Sequence, residues 1–137
     1  MGRRYYDHEP VYRAILDRGG EGWDDREGAP SCEDDSYRGL DELLQGPWLE
    51  GRGPLDVLDV GTGGGQAAWR LAPRARRLVG VDYAESAIVL ARKNAERLGV
   101  RAELIAMDAT SLAGLEDESF DLVIDNHVLH CLVEPAD

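Results

Sequence analysis

Cysteine is scarce in this 137-residue chain, which contains only Cys32 and Cys131, far apart in the sequence. A fold held together by several disulfides is therefore excluded, and we expect a reducing compartment. No apolar run approaches the roughly 20 residues that a membrane-spanning helix needs. The first residues are basic and then polar, without the apolar segment of a secretory signal. We expect a cytoplasmic protein that does not associate with membranes.

Positive charge is also in short supply. Lys and Arg total 15 against 27 Asp and Glu, which gives a formal net charge of -12. Such a chain repels phosphate backbones and anionic lipid surfaces, so nucleic acid is disfavoured as a partner. With 137 residues, 43% of them hydrophobic, the chain is long enough for one domain with a core but not comfortably for two.

The first 50 residues are rich in charge, glycine and aromatic side chains. Apolar residues at helical spacing predict a short helix around residues 11–16 and a second one over about 36–44. The apolar stripe of the second helix would comprise Leu40, Leu43 and Leu44. The acidic stretch 21–35 is typical of a solvated loop. We predict an N-terminal helical and loop segment over residues 1–50, which is a candidate lid.

From residue 55 onward, apolar runs alternate with helical patterns. The runs predict four strands, over residues 55–60, 78–82, 102–106 and 120–124. Two helices are predicted between the first three strands, over residues 66–72 and 84–98. The apolar face of the longer helix would comprise Ala84, Ala87, Ile88, Ala91, Ala95 and Leu98. This alternation indicates an α/β fold with a Rossmann-like, doubly wound, open parallel sheet in which four strands are present.

The strongest single feature is the glycine-rich loop 61–65, directly after the first predicted strand. Glycine permits a sharp turn and lets a ligand approach the backbone at the N-terminus of the following helix. Asp82 ends the second predicted strand about 20 residues later, where a carboxylate can hold ribose hydroxyls. We therefore expect a nucleoside at the carboxyl ends of the strands.

A dinucleotide is the alternative ligand for such a loop. The dinucleotide fingerprint has a third glycine three positions after the second. Counting from Gly61 and Gly63, that position is occupied by Gln66. A nicotinamide-dependent oxidoreductase therefore remains a less favoured alternative.

A different motif fits the loop without exception. The segment 59–65 resembles the first motif of the class I S-adenosylmethionine-dependent methyltransferases. Further similarities follow in order, at Val81-Asp82-Tyr83, Met107-Asp108-Ala109, 120–126 and 128–132. The last of these resembles a pattern common in small-molecule members of the family. The resemblance covers residues 55–132, and it implies S-adenosylmethionine as cofactor and a small molecule as methyl acceptor.

The resemblance also implies roles for the residues around the first strand. The loop residues Gly61, Thr62, Gly63 and Gly65 would lie against the methionine part of the cofactor. The carboxylate of Asp59 would organise that end of the site. Asp59 could also be a polar strand end, but the glycine loop that follows it directly disfavours that interpretation.

The remaining implied cofactor residues follow the other strands. Asp82 would hold both ribose hydroxyls, and Tyr83 would lie along the adenine unless it serves only in packing. Asp108 would accept from the adenine amino group, near the Ala109 backbone, although Asp before a loop is also ordinary turn chemistry. Two further residues, beside the methionine end, would be Asp125 and Asn126. The family often has Ser or Thr where this chain has Ala84, so the usual cap of the next helix is missing.

No catalytic residue can be assigned from the sequence. Methyl transfer is an in-line displacement with a neutral leaving group, so placing the acceptor and excluding water should supply most of the acceleration. A general base is optional, and His127 is the candidate for one. His127, His130 and Cys131 have no second ligand cluster, so we expect no metal site. The N-terminal aromatic residues would either line the acceptor pocket or anchor their segment: Tyr5, Tyr6, Tyr12, Trp23 and Tyr37.

Domains that resemble this one usually have seven strands, and four are predicted here. We therefore expect residues 51–137 to be the cofactor-binding part of a methyltransferase domain that is incomplete at its C-terminus. The apolar run 122–124 would then form an open sheet edge. A truncated, non-catalytic cofactor-binding module is a third alternative. The identity of the acceptor and the oligomeric state leave no signal in the sequence.

Overall fold

The computed structural model describes residues 6–27, 37–126 and 128–132. The four strands are β1 (Leu55–Val60), β2 (Ala75–Asp82), β3 (Glu103–Ala106) and β4 (Leu122–Asp125). The α-helices are α1 (Glu9–Asp17), α2 (Arg38–Leu44), α3 (Gln66–Leu71) and α4 (Glu85–Leu98). Single 3-10 turns lie at Trp23–Asp25, Pro47–Leu49, Ala72–Arg74 and Leu129–Cys131. Among the described helices, none combines the length and apolar character that crossing a bilayer requires.

All strand pairs in the sheet are parallel, and the strand order is β3-β2-β1-β4. Val60 pairs with Val81 on one side and with Asp125 on the other, and Asp82 pairs with Ala106. The carboxyl ends of the four strands therefore meet at one edge. The chain proceeds from β1 to one side of the sheet and later returns to β4 on the other. This reversal creates a topological switch point beside β1, the place where ligands bind in open α/β sheets.

The predicted α/β architecture is confirmed, and β1 has the predicted bounds. Strand β2 begins earlier than the predicted residue 78, at Ala75, because its basic start pairs with acids on both neighbouring strands. Arg76 Nη2 lies 2.7 Å from Asp56 Oδ2, and Arg77 Nε lies 2.9 Å from Glu103 Oε1. Arg76 and Arg77 therefore lie near the amino end of β2, opposite to the carboxyl edge at which a ligand is expected.

Two predicted apolar stripes differ from the structure at single positions. Leu43 of α2 is 57% exposed and Leu98 of α4 is 46% exposed, so neither belongs to the core. Leu98 lies at the last position of α4. On α4, Ser86, Leu90 and Asn94 are buried in addition to the predicted residues. Helical periodicity therefore identified the buried face but not its limits.

The N-terminal helix packs directly against α4. Tyr12 and Ile15 of α1 form one buried cluster with Ala84, Ala87 and Leu90. Tyrosine and isoleucine are large apolar groups, and their burial attaches α1 to the second half of the chain. The N-terminal segment is thus placed over the carboxyl edge of the sheet.

The cap that Ala84 fails to supply comes from α1. Glu9 Oε2 accepts a hydrogen bond from the backbone amide of Ser86 at 2.9 Å, across 77 positions of sequence. The other oxygen of Glu9 accepts from the Ser86 hydroxyl. A carboxylate at a helix N-terminus satisfies amides that lack intrahelical partners and complements the helix dipole. A second carboxylate, that of Asp82, accepts from the Ala84 amide at 2.9 Å.

The last strand, β4, pairs only with β1 among the residues that the structure describes. Val123, in its centre, is 57% exposed. An apolar strand with one unpaired side is the open edge that the sequence predicts.

Candidate functional site

A cavity of about 440 Å³ opens at the carboxyl edge of the sheet, beside β1. Its floor consists of residues that follow the strands: Gly61–Gly64, Gln66, Ala67, Asp82–Ala84, Ala109, Asn126, Val128 and Cys131. Its outer wall comes from the N-terminal segment: Tyr6, His8, Tyr12, Trp23, Asp24, Arg26 and Tyr37. The cavity therefore lies between the two parts into which composition divides the chain.

The glycine loop forms the centre of the floor, and its backbone conformation requires glycine. Gly61 and Gly63 have φ values of 70° and 55°, in the left-handed region. A Cβ atom on Gly61 would collide with the Val128 side chain, and one on Gly63 would lie 2.5 Å from the Tyr12 hydroxyl. The amides of Gly61 and Thr62 both donate to the Val81 carbonyl, at 2.8 and 2.9 Å. The loop is thus tied to the end of β2.

Asp59 lies beneath this loop rather than in the cavity wall. It is 1% exposed, and its Oδ2 accepts from the Thr62 hydroxyl at 2.7 Å. Its Oδ1 has no hydrogen-bond partner within the described part of the chain. Burial raises the pKa of Asp59 to about 7, against the opposing effect of the Thr62 hydrogen bond. Asp59 therefore supports the loop from below.

Asp82 lines the cavity and organises two backbone segments. Its Oδ2 accepts from the Gly63 amide and its Oδ1 from the Ala84 amide, each at 2.9 Å. Burial raises the pKa of Asp82, and both amide hydrogen bonds act in the opposite direction. An ionised carboxylate offers about four acceptor positions, so two remain for a ligand's hydroxyl groups.

Several of the predicted site residues come together on the cavity floor. Besides the glycine loop and Asp82, these are Tyr83, Ala109 and Asn126. The Tyr83 side chain is 58% exposed, so it is available to a flat ligand surface rather than enclosed in the core.

Other predicted residues are not among those that line the cavity. Asp108 Oδ1 accepts from the Thr110 amide at 2.7 Å and from the Thr110 hydroxyl, and Asp125 Oδ1 accepts from the Val128 amide at 2.8 Å. Neither carboxylate lines the cavity, nor does Gly65, which is the N-cap residue of α3. Their roles toward a cofactor stay predictions. The candidate base His127 lies outside the described residues.

Tyr12 and Trp23 serve both purposes that the sequence leaves open for the N-terminal aromatic residues, whereas Tyr5 lies outside the described residues. Tyr12 is buried against α4, and its hydroxyl still reaches the glycine loop. The Trp23 ring lies 5.4 Å from the Tyr12 ring and 5.0 Å from that of His8, between centroids. The Arg26 guanidinium lies 4.9 Å from the centre of the Trp23 ring, in a cation–π arrangement. These side chains anchor their segment and line the cavity.

Sequence reasoning missed two contributors to this site. Arg26 is the one Lys or Arg among the described residues lining the cavity, and nothing in its sequence neighbourhood marks it. Asn94, 3% exposed, donates from Nδ2 to the carbonyls of Glu21 and Gly64 at 2.7 and 2.9 Å. The sequence could have indicated Asn94, because a polar residue on the apolar face of a helix is expected to have a hydrogen-bond partner when it is buried.

Within residues 6–27, 37–126 and 128–132, no group of three His, Cys, Asp or Glu side chains could hold a metal ion. The described cavity lining includes carboxylates, aromatic rings and one guanidinium, together with the side chains of Thr62, Asn126 and Cys131.

Comparison with known proteins gives a consistent result. The profile of a family described as a methyltransferase domain matches residues 53–137. The chain is 37% identical over 83 residues to a ubiquinone biosynthesis O-methyltransferase of Roseobacter denitrificans, covering 61% of this chain and 33% of that protein. It is 37% identical over 82 residues to a release factor glutamine methyltransferase of Bordetella pertussis, covering 58% and 30%.

A solved structure agrees with these relatives. The crystal structure of the YcgJ protein from Bacillus subtilis aligns with a TM-score of 0.54 at 29% identity, covering 62% of this chain and 36% of that one. The chain spans about a third of the length of the relatives described above. Since the family profile covers more than half of the chain and the sheet has the expected parallel order, the chain belongs to the class I S-adenosylmethionine-dependent methyltransferases.

Proposed function

We propose that the cavity binds S-adenosylmethionine and that the protein transfers the cofactor's methyl group to a small-molecule acceptor. The observation that carries this proposal is the double role of Asp82. Its carboxylate faces the cavity while accepting the amides of Gly63 and Ala84. It can thus receive ribose hydroxyls next to a loop whose backbone a ligand can approach closely.

The charges around the cavity fit this cofactor. S-adenosylmethionine carries a sulfonium and an ammonium group, and the carboxylates of Asp24 and Asp82 line the cavity. The net charge of -12 adds an attractive field for a cationic ligand. When bound, the cofactor supplies an electrophilic methyl group whose departure leaves a neutral thioether.

Arg26 contributes a positive charge to the cavity, which can pair with a negatively charged group of the ligand. The methionine part of the cofactor also carries a carboxylate, and Arg26 is the cavity-lining guanidinium. It lies on the segment above the glycine loop, where the resemblance places the methionine part. A planar guanidinium stacked on Trp23 is well oriented to pair with a carboxylate.

The N-terminal wall supports a small-molecule acceptor. Tyr6, Tyr12, Trp23 and Tyr37 enclose the cavity on the side facing away from the sheet. Such a wall excludes water and favours a compact, largely apolar acceptor. The relatives themselves act in ubiquinone biosynthesis and on a release factor, so the acceptor class rests on this wall and on the acidic charge of the chain.

Calorimetry with S-adenosylmethionine and with its demethylated product, S-adenosylhomocysteine, tests the proposal. We expect both to bind, and Asp82→Ala to weaken binding at least about tenfold, since a charged hydrogen-bond acceptor is lost. Asp117→Ala is the matched control, because Asp117 is exposed and remote from the lining residues. Absence of binding by the folded chain would overturn the proposal. Binding without turnover on any acceptor would instead favour a non-catalytic module.

A further inference from the structure

The segment of residues 21–26, called the strap below, crosses directly over the glycine loop. The Glu21 carbonyl accepts from Gln66 Nε2 at 2.6 Å and from Asn94 Nδ2 at 2.7 Å. A Cβ atom on Gly64 would lie 2.5 Å from the same carbonyl, and one on Gly22 would collide with the Gln66 amide. The strap and the loop therefore touch along their backbones.

The strap is also braced internally. Asp25 Oδ2 accepts from the amides of Glu21 and Gly22, at 2.6 and 3.1 Å. Trp23, Asp24 and Arg26 line the cavity, so the strap supplies a large part of the wall. Because the strap is stiff, fixing it at Glu21 fixes these three side chains as well.

One side chain, that of Asn94, donates hydrogen bonds to both the strap and the glycine loop. The Asn94 amide donates both to the Glu21 carbonyl and, at 2.9 Å, to the Gly64 carbonyl. Gln66 reaches only the strap, and Trp69 Nε1 reaches only the Gly64 carbonyl, at 3.1 Å. An NH₂ group carries two donor hydrogens, so a primary amide can satisfy two carbonyls at once.

We propose that Asn94 is a positioning residue that fastens the strap to the glycine loop and thereby sets the shape of the cofactor cavity. This inference rests on the proposed function for what the cavity binds. Asn94 itself lies on α4, outside the lining residues, and acts through Glu21 and Gly64. It therefore affects the ligand only through the backbone that it places.

The hydrogen-bond network makes the inference testable without unfolding the protein. In Asn94→Ala, the Glu21 carbonyl keeps its bond from Gln66 and the Gly64 carbonyl keeps its bond from Trp69. Neither carbonyl loses every partner, so we expect the fold to persist. What disappears is the one side chain that donates to both segments at once, while the Gln66 bond to Glu21 remains.

Hydrogen exchange in the absence of ligand is the first measurement. We expect amide exchange in residues 21–26 to rise about tenfold in Asn94→Ala, the effect of losing one net hydrogen bond. Asn94→Leu keeps most of the side-chain volume without any donor, and we expect it to behave like Asn94→Ala. Lys93→Ala, at an exposed neighbouring position, is the control. If Asn94→Leu exchanges like the parent chain, packing alone holds the strap and the proposal is wrong.

The second measurement is the affinity for S-adenosylhomocysteine, taken well below the melting temperature. We expect both Asn94 variants to bind about tenfold more weakly than the parent chain and the Lys93 variant. A released strap with unchanged affinity would overturn the positioning role. If the parent chain itself does not bind, the proposed function fails, while the exchange measurement still decides whether Asn94 fastens the strap.

Discussion

The Gly63 amide donates to Asp82 Oδ2 at 2.9 Å, so a loop after β1 and the end of β2 share one carboxylate. Asp82 is largely buried by the protein and also lines the cavity. If a ligand binds at Asp82 as proposed, its binding and the loop conformation are coupled through this single side chain. A ligand that accepts or donates at Asp82 meets a carboxylate whose orientation is already set by the protein, which reduces the entropy cost of binding.

The first prediction concerns Gly63. Replacing it by Ala places a Cβ atom 2.5 Å from the Tyr12 hydroxyl at a φ of 55°, which an L side chain adopts with strain. We expect Gly63→Ala to lower the free energy of unfolding by about 1–3 kcal/mol and to abolish binding of S-adenosylhomocysteine. Denaturant titration and calorimetry measure the two effects. Gly53→Ala is the control, because no atom lies within 4 Å of its added Cβ; equal effects of the two substitutions would contradict this interpretation of the loop.

The second prediction concerns the buried carboxyl of Asp59. Its pKa is raised from 3.8 to about 7 in the folded protein. Between these values the folded state binds more protons than the unfolded state, so stability falls as the pH rises from about 4 to 7. We expect this group to account for at most about 4 kcal/mol of that loss, and Asp59→Asn to flatten the dependence.

Denaturant titrations at several pH values between 4 and 8 measure this effect. Asp117→Asn, at an exposed position outside the sheet, is the control. A parent chain whose stability rises over this interval, or an Asp59→Asn variant with an unchanged slope, would contradict the assignment.

The third prediction concerns the cap that α1 provides for α4. Glu9→Ala removes the acceptor of the Ser86 amide and hydroxyl, so we expect a loss of about 0.5–2 kcal/mol in the free energy of unfolding. Glu9 also pairs with Arg13 at i,i+4, just as Glu42 pairs with Arg38. Glu42→Ala therefore removes a similar surface pair without a cap, and we expect it to cost at most about 0.5 kcal/mol. Equal losses in thermal denaturation would show that the cap contributes nothing.

The fourth prediction concerns Arg26. If its guanidinium pairs with the cofactor's carboxylate, Arg26→Ala weakens binding of S-adenosylhomocysteine about tenfold or more and leaves binding of adenosine, which lacks that carboxylate, unchanged. Arg74→Ala changes the same charge at an exposed position away from the cavity. Calorimetry with both ligands distinguishes the cases. An equal loss for adenosine would mean that Arg26 acts by supporting the wall.

Local sequence patterns determined the parts of this protein that depend on neighbours along the chain. The apolar run at Leu55–Val60 predicted β1, since a strand buried on both faces needs continuous apolar residues. The glycines after it predicted a loop with positive φ, and Gly99 predicted the end of α4. The motif order from Asp59 to Asn126 was sufficient to identify the family.

Tertiary packing decided what no local pattern encodes. Asp59 and Asp82 both lie near the carboxyl ends of buried strands, yet only Asp82 reaches the cavity, because the glycine loop covers Asp59. The cap from Glu9 and the link from Asn94 to Glu21 join residues 77 and 73 positions apart. Such contacts arise only when α1 packs on α4, since periodicity specifies a buried face but not its partner. The sequence alone thus determined the Rossmann-like α/β fold, and the tertiary structure decided which side chains form the site.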